Sequence, residues 1–217
     1  MKRLLFSLGV GLAFWLGIAG VHAETLVAWD FVSTAANAPS APASTTATGM
    51  AAGSTVTRGS GLGASGYIDS GQQFGSRFWG SAFDANDYVT FTIAPDDGMI
   101  MSLQQITMSL FEQNSPVMKM ELQWATDPAD FGAGNSNSSG AFTVSGSNTG
   151  YAIYNVDLSG AAVLQQTTEA WEFRLYGWEQ GHWEAAGFRT SGGNNALEVN
   201  GTVEEEPPPP GTIVIIR

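Results

Sequence analysis

The residues best suited to chemistry gather in one short segment. Trp178-Glu179-Gln180-Gly181-His182-Trp183-Glu184 brings two indoles, an imidazole and two carboxylates into what reads as a turn. Trp79, beside Gly80, is a further indole next to a glycine. Tryptophans in turns offer flat apolar faces to sugar rings, and neighbouring amides and carboxylates can orient the hydroxyls. The other use for such tryptophans is to cap the ends of a core. The candidate ligand-binding residues are therefore Trp178, His182, Trp183 and Trp79, with polysaccharide or extracellular matrix as the partner class. A second cluster is acidic. Asp84-Ala85-Asn86-Asp87 places three oxygen-bearing side chains together, and Asp96-Asp97-Gly98 is another acidic turn. Ca2+ is the ion such oxygens could hold, with Asp84 and Asp87 as the nearest ligands, but neither turn has the spacing of a calcium loop. Asp and Asn in turns commonly bond their own backbone instead.

Catalysis finds little to work with. A Ser-His-Asp arrangement needs a proton-shuttling histidine, and beyond the N-terminal segment His182 is the only one. No G-x-S-x-G, no H-E-x-x-H and no phosphate loop with a lysine occurs. The chain has no cysteine, so thiol chemistry and cysteine-bound metals are excluded. Glycoside hydrolysis requires only two facing carboxylates, and Glu172, Glu179 and Glu184 lie near Trp178 and Trp183. Alternation along the chain nevertheless puts Glu172 on a solvated strand face. No catalytic residue is assigned and no cofactor is required. The reading is a non-catalytic surface or extracellular module. The alternatives are a purely structural or adhesion domain and, third, a secreted glycoside-active hydrolase.

The elements that would position these residues read as β throughout. Period-2 alternation recurs between clusters of Gly, Asn, Ser and Asp, the mark of short strands joined by turns. In Val117 to Thr126, Met118, Met120, Leu122 and Trp124 share one face while Lys119, Glu121 and Gln123 share the other. In Trp171 to Trp178, Trp171, Phe173 and Leu175 alternate with Glu172, Arg174 and Tyr176. Further strands are expected at Thr25 to Phe31, Asp87 to Ile93, Gln105 to Glu112, Tyr151 to Leu158 and Leu197 to Val203. Weaker ones fall at Gly53 to Arg58, Tyr67 to Asp69, Phe142 to Val144 and Gly187 to Arg189. Only Ser159 to Gln166 looks helical. Ala35 to Gly53 reads as a long surface loop or meandering edge, and Asp130 to Ser139 as a similar loop. The expected fold class is all-β, an antiparallel two-layer β-sandwich of jelly-roll-like type.

The chain divides into three parts. Residues 1–23 read as a signal peptide: Lys2 and Arg3 precede an uncharged apolar run, which closes on Val21-His22-Ala23. Cleavage should leave Glu24 as the first residue, which intact mass or terminal sequencing of secreted material checks; retention of Met1 to Ala23 would tether the protein to a membrane. Cleavage leaves six basic against twenty acidic residues, moving the net charge from −12 to −14. Such a surface repels phosphate backbones, so nucleic acid is not an expected partner. Residues 24–203 form the sandwich domain, with no membrane span in the mature chain. Residues 204–217 begin with Glu204-Glu205-Glu206 and Pro207 to Pro210, a semi-rigid extended spacer, and a further domain is expected beyond it. Secretion or display at the cell surface is the expected localisation.

Four segments carry a resemblance: Glu24 to Phe31 (ETLVAWDF), Tyr88 to Pro95 (YVTFTIAP), Glu172 to Trp178 (EFRLYGW) and Leu197 to Val203 (LEVNGTV). Together they resemble bacterial exported β-sandwich domains similar to the jelly-roll modules of PEP-CTERM-type and related sorted surface proteins. The likeness spans Glu24 to Val203. It implies a surface role without an assigned activity, and a C-terminal sorting segment of prolines, apolar helix and basic tail. Here the prolines are followed by no apolar helix, and Arg217 is the only basic residue after them.

Overall fold

A computed structural model of the chain describes residues 23–32, 34–35, 38–64, 73–77, 79–112, 118–144, 151–179, 185–190 and 194–209. Among them fourteen strands follow in chain order: β1 (Glu24–Trp29), β2 (Ser40–Pro42), β3 (Thr45–Thr46), β4 (Thr55–Arg58), β5 (Gly63–Ala64), β6 (Gln73–Arg77), β7 (Tyr88–Ile93), β8 (Met99–Glu112), β9 (Met118–Ala125), β10 (Phe142–Val144), β11 (Ala152–Asp157), β12 (Trp171–Trp178), β13 (Ala186–Arg189) and β14 (Leu197–Glu205). They form two antiparallel sheets packed face to face, a β-sandwich. One sheet has six strands in the order β10-β9-β12-β7-β4-β2. The other has eight, built around the long strand β8. Met108 of β8 pairs with Leu197 on one side and Tyr154 on the other, and Leu110 with Phe188 and Ala152. Strands β13 and β14 therefore follow one another along one side of β8, and β11 lies along its other side.

Alternation explains which side chains meet between the sheets. Met118, Met120, Leu122, Trp124, Trp171, Phe173 and Leu175 are all buried, while Lys119, Glu121, Glu172 and Arg174 keep partial exposure on the opposite face. Across the sandwich, Trp29 of β1 meets Phe91 of β7 at 5.5 Å between ring centroids, and Phe91 stacks on Phe173 at 5.2 Å. Phe31 has a φ of 54°, unusual for a bulky residue. In that conformation its ring stacks between Phe74 and Phe188. The guanidinium of Arg58 lies over the Phe74 ring at 3.8 Å. Arg58 donates to the carbonyls of Gly75 and Ala38 and to the Ser76 hydroxyl, and burial holds its pKa down at about 10.

Several expectations change. Ser159 to Gln166, expected to be helical, holds only a single 3-10 turn, Ala162–Leu164. Of the two readings of Ala35 to Gly53, the meandering edge is the one found: it contains β2 and β3, each at a margin of its sheet, and it buries Ala41 and Met50. Gln123, expected on the wet face, is buried because the chain after β9 folds back over it. Its side chain accepts from the Gly132 amide and donates to the Gly132 carbonyl. The loop Asp130 to Ser139 therefore covers part of the six-stranded sheet. Strand β14 runs to Glu205, and the Glu206 amide still bonds the Gly98 carbonyl, so the sheet persists into the acidic run. The expected strand at Tyr67 to Asp69 and the N-terminal segment up to His22 lie outside the described residues.

Candidate functional site

The outer face of the six-stranded sheet is where chemistry-bearing side chains converge. Strand β12 points Glu172, Arg174, Tyr176 and Trp178 outward, opposite its buried odd-numbered residues. Register places Trp178 beside Lys119, Tyr176 between Glu121 and Tyr88, and Arg174 between Gln123 and Thr90. Two connections close over this face. The segment between β6 and β7 sets Phe83 against Tyr176, at 4.9 Å, and against Trp178, edge-on at 5.6 Å. The connection after β9 sets Phe131 over the Arg174 guanidinium at 4.0 Å, while the ring of Tyr88 lies 4.4 Å from the same group.

Among the described residues this arrangement fills the centre of the face and leaves one end open. Arg174 is held between two rings and bonded through Nε to Glu172 at 2.7 Å. Burial works against its charge, but the carboxylate of Glu172 and the Tyr176 hydroxyl raise its pKa above the usual guanidinium value. Glu172 also accepts from the Thr90 hydroxyl, so its two partners serve the sheet. Tyr176 is buried beneath Phe83, and burial pushes its phenol up despite the neighbouring Arg174. At the open end Trp178 stays partly exposed. Beside it Lys119 and Glu179 form an ion pair at 2.7 Å with side chains 42 % and 41 % exposed. Glu179 has a φ of 67°, which ends the strand and turns the chain beside the indole.

A shallow depression adjoins this end, lined by Gly61, Gly80, Ser81, Ala82, Phe83, Asp84 and Asp87. Its floor depends on glycine. A Cβ on Gly61 would collide with the Asp87 carboxylate, and one on Gly80 would lie 2.9 Å from the Ala82 carbonyl oxygen. Asp87 is buried and accepts from the Gly80 amide at 3.0 Å. Asp84 accepts from the Asn86 amide and side chain, the self-bonded turn that Asp so often makes. The two candidate calcium ligands are thus employed in shaping the loop. Among the described residues no three His, Cys, Asp or Glu side chains gather as a metal group would require.

The sequence-based candidates part company here. Trp178 lies at the open end and is partly exposed. Trp79 does not: it is fully buried, its Nε1 donates to the Ser76 carbonyl at 3.0 Å, and its ring lies where a Cβ on Gly177 would stand. It is a core residue. Its neighbour Gly80 bridges in parallel to Trp178, so Trp79 anchors the segment that carries Phe83. His182, Trp183 and Glu184 lie outside the described residues. Phe83, Tyr88, Phe131 and Arg174 join the site without standing out in the sequence as site residues. For Arg174 and Tyr176 a signal does exist in the period-2 pattern, which aligns them with Trp178. Phe83 and Phe131 come from connections whose return over the sheet no local pattern reveals.

Among the described residues no helix is long and apolar enough to cross a membrane. No protein-family model matches the chain, and no curated protein matches it.

Proposed function

We propose that this chain is an exported, non-catalytic module that binds polysaccharide at the Trp178 end of the six-stranded sheet's outer face. The supporting observation is the partly exposed Trp178 indole, steadied edge-on by Phe83 and flanked by the exposed Lys119–Glu179 pair. A pyranose ring stacks its C–H face on an indole, and its hydroxyls take the hydrogen bonds of nearby charged groups. The segments that resemble sorted surface modules belong to the same proposal, which places the protein outside the cell or on its surface.

Trp178→Ala is expected to abolish retention in affinity electrophoresis through soluble polysaccharide, with unfolding free energy kept within about 1 kcal/mol, since the ring is partly solvated. Phe83→Ala should weaken retention by a smaller factor. Undiminished retention of the Trp178 variant would remove this face from the mechanism. One observation favours the second reading, a structural or adhesion domain: Trp29, Trp79, Trp124 and Trp171 are all buried. That reading gains if the unaltered protein passes every polysaccharide gel without delay.

A further inference from the structure

Most sheet edges among the described residues are short, which is how natural sheets avoid pairing with one another. Strands β2 and β10, at the margins of the six-stranded sheet, have three residues each, and β3 and β5 in the other sheet have two each. Strand β11 is different. It has six residues and pairs with no strand but β8 among the described residues. It carries neither proline nor lysine. Ile153, on its outer face, is 60 % exposed, and Tyr151 just before it is 39 % exposed. On its inner face Ala152 and Tyr154 are only partly buried, with Tyr154 against Phe142 at 5.2 Å. Asn155 and Asp157 make the rest of the outer face polar, so the apolar part of this edge is its first half, Ala152 to Tyr154, and an unpaired apolar edge is a template for a further strand.

The same sequence holds a segment whose composition would suit it. Thr212-Ile213-Val214-Ile215-Ile216 is β-branched at every position and apolar on both faces from Ile213 onward. It follows the stiff spacer Pro207 to Pro210. The spacer leaves the eight-stranded sheet from the end of β14, where Glu205 pairs with Met99. Strand β11 ends opposite Gln105, on the other side of β8. That is roughly 20 Å further along β8 at the usual rise per residue, and a polyproline segment resists the reversal needed to reach it.

We propose that Thr212 to Ile216 of one molecule adds as a strand to the outer edge of β11 in a second copy of this chain. Main-chain hydrogen bonds supply the register-independent part of the contact. Alternate isoleucine and valine side chains cover Ile153 on one face and the margin by Tyr154 on the other. Donor and acceptor surfaces differ, so the contact closes as a dimer when two copies exchange tails reciprocally and as a ring or open chain when each tail goes to a new copy. Both copies are strongly acidic, so added salt should favour association by screening their repulsion.

Sedimentation velocity on the chain from Glu24 to Arg217 tests this. The weight-average mass is expected to rise with protein concentration and with salt. A chain stopped after Pro209, which keeps every described strand, should stay monomeric. Ile153→Lys should weaken association about tenfold, the order of one lost apolar contact, with an unchanged melting temperature. A labelled peptide of Gly211 to Arg217 should bind the shortened chain and lose affinity for its Ile153→Lys form. A full chain that stays monomeric throughout overturns the proposal. So does association that survives removal of residues 210–217, or peptide binding that ignores Ile153→Lys.

Discussion

Trp79→Ala is expected to lower the unfolding free energy by about 3–5 kcal/mol, the range for truncating a large buried aromatic, and to abolish polysaccharide retention as well. The indole is fully buried and packs where Gly177 leaves room beside the Met118 methyl. Alanine leaves a cavity there and removes the indole N–H that the Ser76 carbonyl accepts. The second effect follows from position. Gly80, next in the chain, bridges to Trp178, and three residues on Phe83 packs against both Tyr176 and Trp178. Urea unfolding followed by tryptophan fluorescence reads the first effect, and affinity electrophoresis below the unfolding transition reads the second. Trp178→Ala and Trp79→Ala should thus both lose binding, but only the latter should lose stability. A Trp79 variant destabilised by under about 1 kcal/mol, the ordinary result at a surface site, would contradict the burial.

Gly187→Ala carries the other large expectation, a loss of about 3 kcal/mol or more, at the upper end of what overpacking costs. Gly187 lies in β13, paired with Gly75 of β6 on one side and Phe111 of β8 on the other. A Cβ there would drive into the Phe74 carbonyl oxygen and stand 2.9 Å from the Gly75 Cα. These are backbone atoms, so no rotamer change relieves the collision. Relief would require β6 to separate from β13, which would break a sheet pairing and disturb the stacked Phe188, Phe31 and Phe74. Gly160→Ala is the matched control, because nothing lies within 4 Å of the added carbon, and its effect should stay within about 0.5 kcal/mol. Chemical denaturation of the two variants side by side measures the difference.

Legibility in the sequence follows the locality of the cause. Strand β12 matches its expected bounds residue for residue, because Trp171 to Trp178 alternates cleanly; the pleat decides burial along it except at outward-facing Tyr176, which Phe83 covers. Strand β6 has no such signal: in Gln73–Arg77 burial reaches Gly75 and Ser76 as well as Phe74, and nothing local marks a glycine as a strand residue. The close packing of Gly75 against Gly187 is visible only when β13 arrives. Trp79 misleads for a related reason. Gly80 beside it signals a turn, but the glycine that determines its burial is Gly177, far along the chain. Gln123 shows the converse, a polar residue on the expected outer face that is buried because Gly132 returns to satisfy its amide.

The pairing of β1 with β14 joins the first described strand to the last: Glu24 lies opposite Gly201, and Trp29 opposite Leu197. The eight-stranded sheet therefore cannot be completed until nearly the whole sequence is free to fold. Contacts this distant along the chain slow a folding reaction into the millisecond-to-second range or beyond. The same pairing governs how the finished domain bears load. Because the strands are antiparallel, Glu24 and the far end of β14 emerge at the same end of the sheet. Tension between the two ends would then peel β1 away one backbone pair at a time, instead of shearing every bond at once. A domain held at one terminus and pulled at the other would give way first by releasing β1, uncovering the buried Leu26, Val27 and Trp29 while the six-stranded sheet still stands.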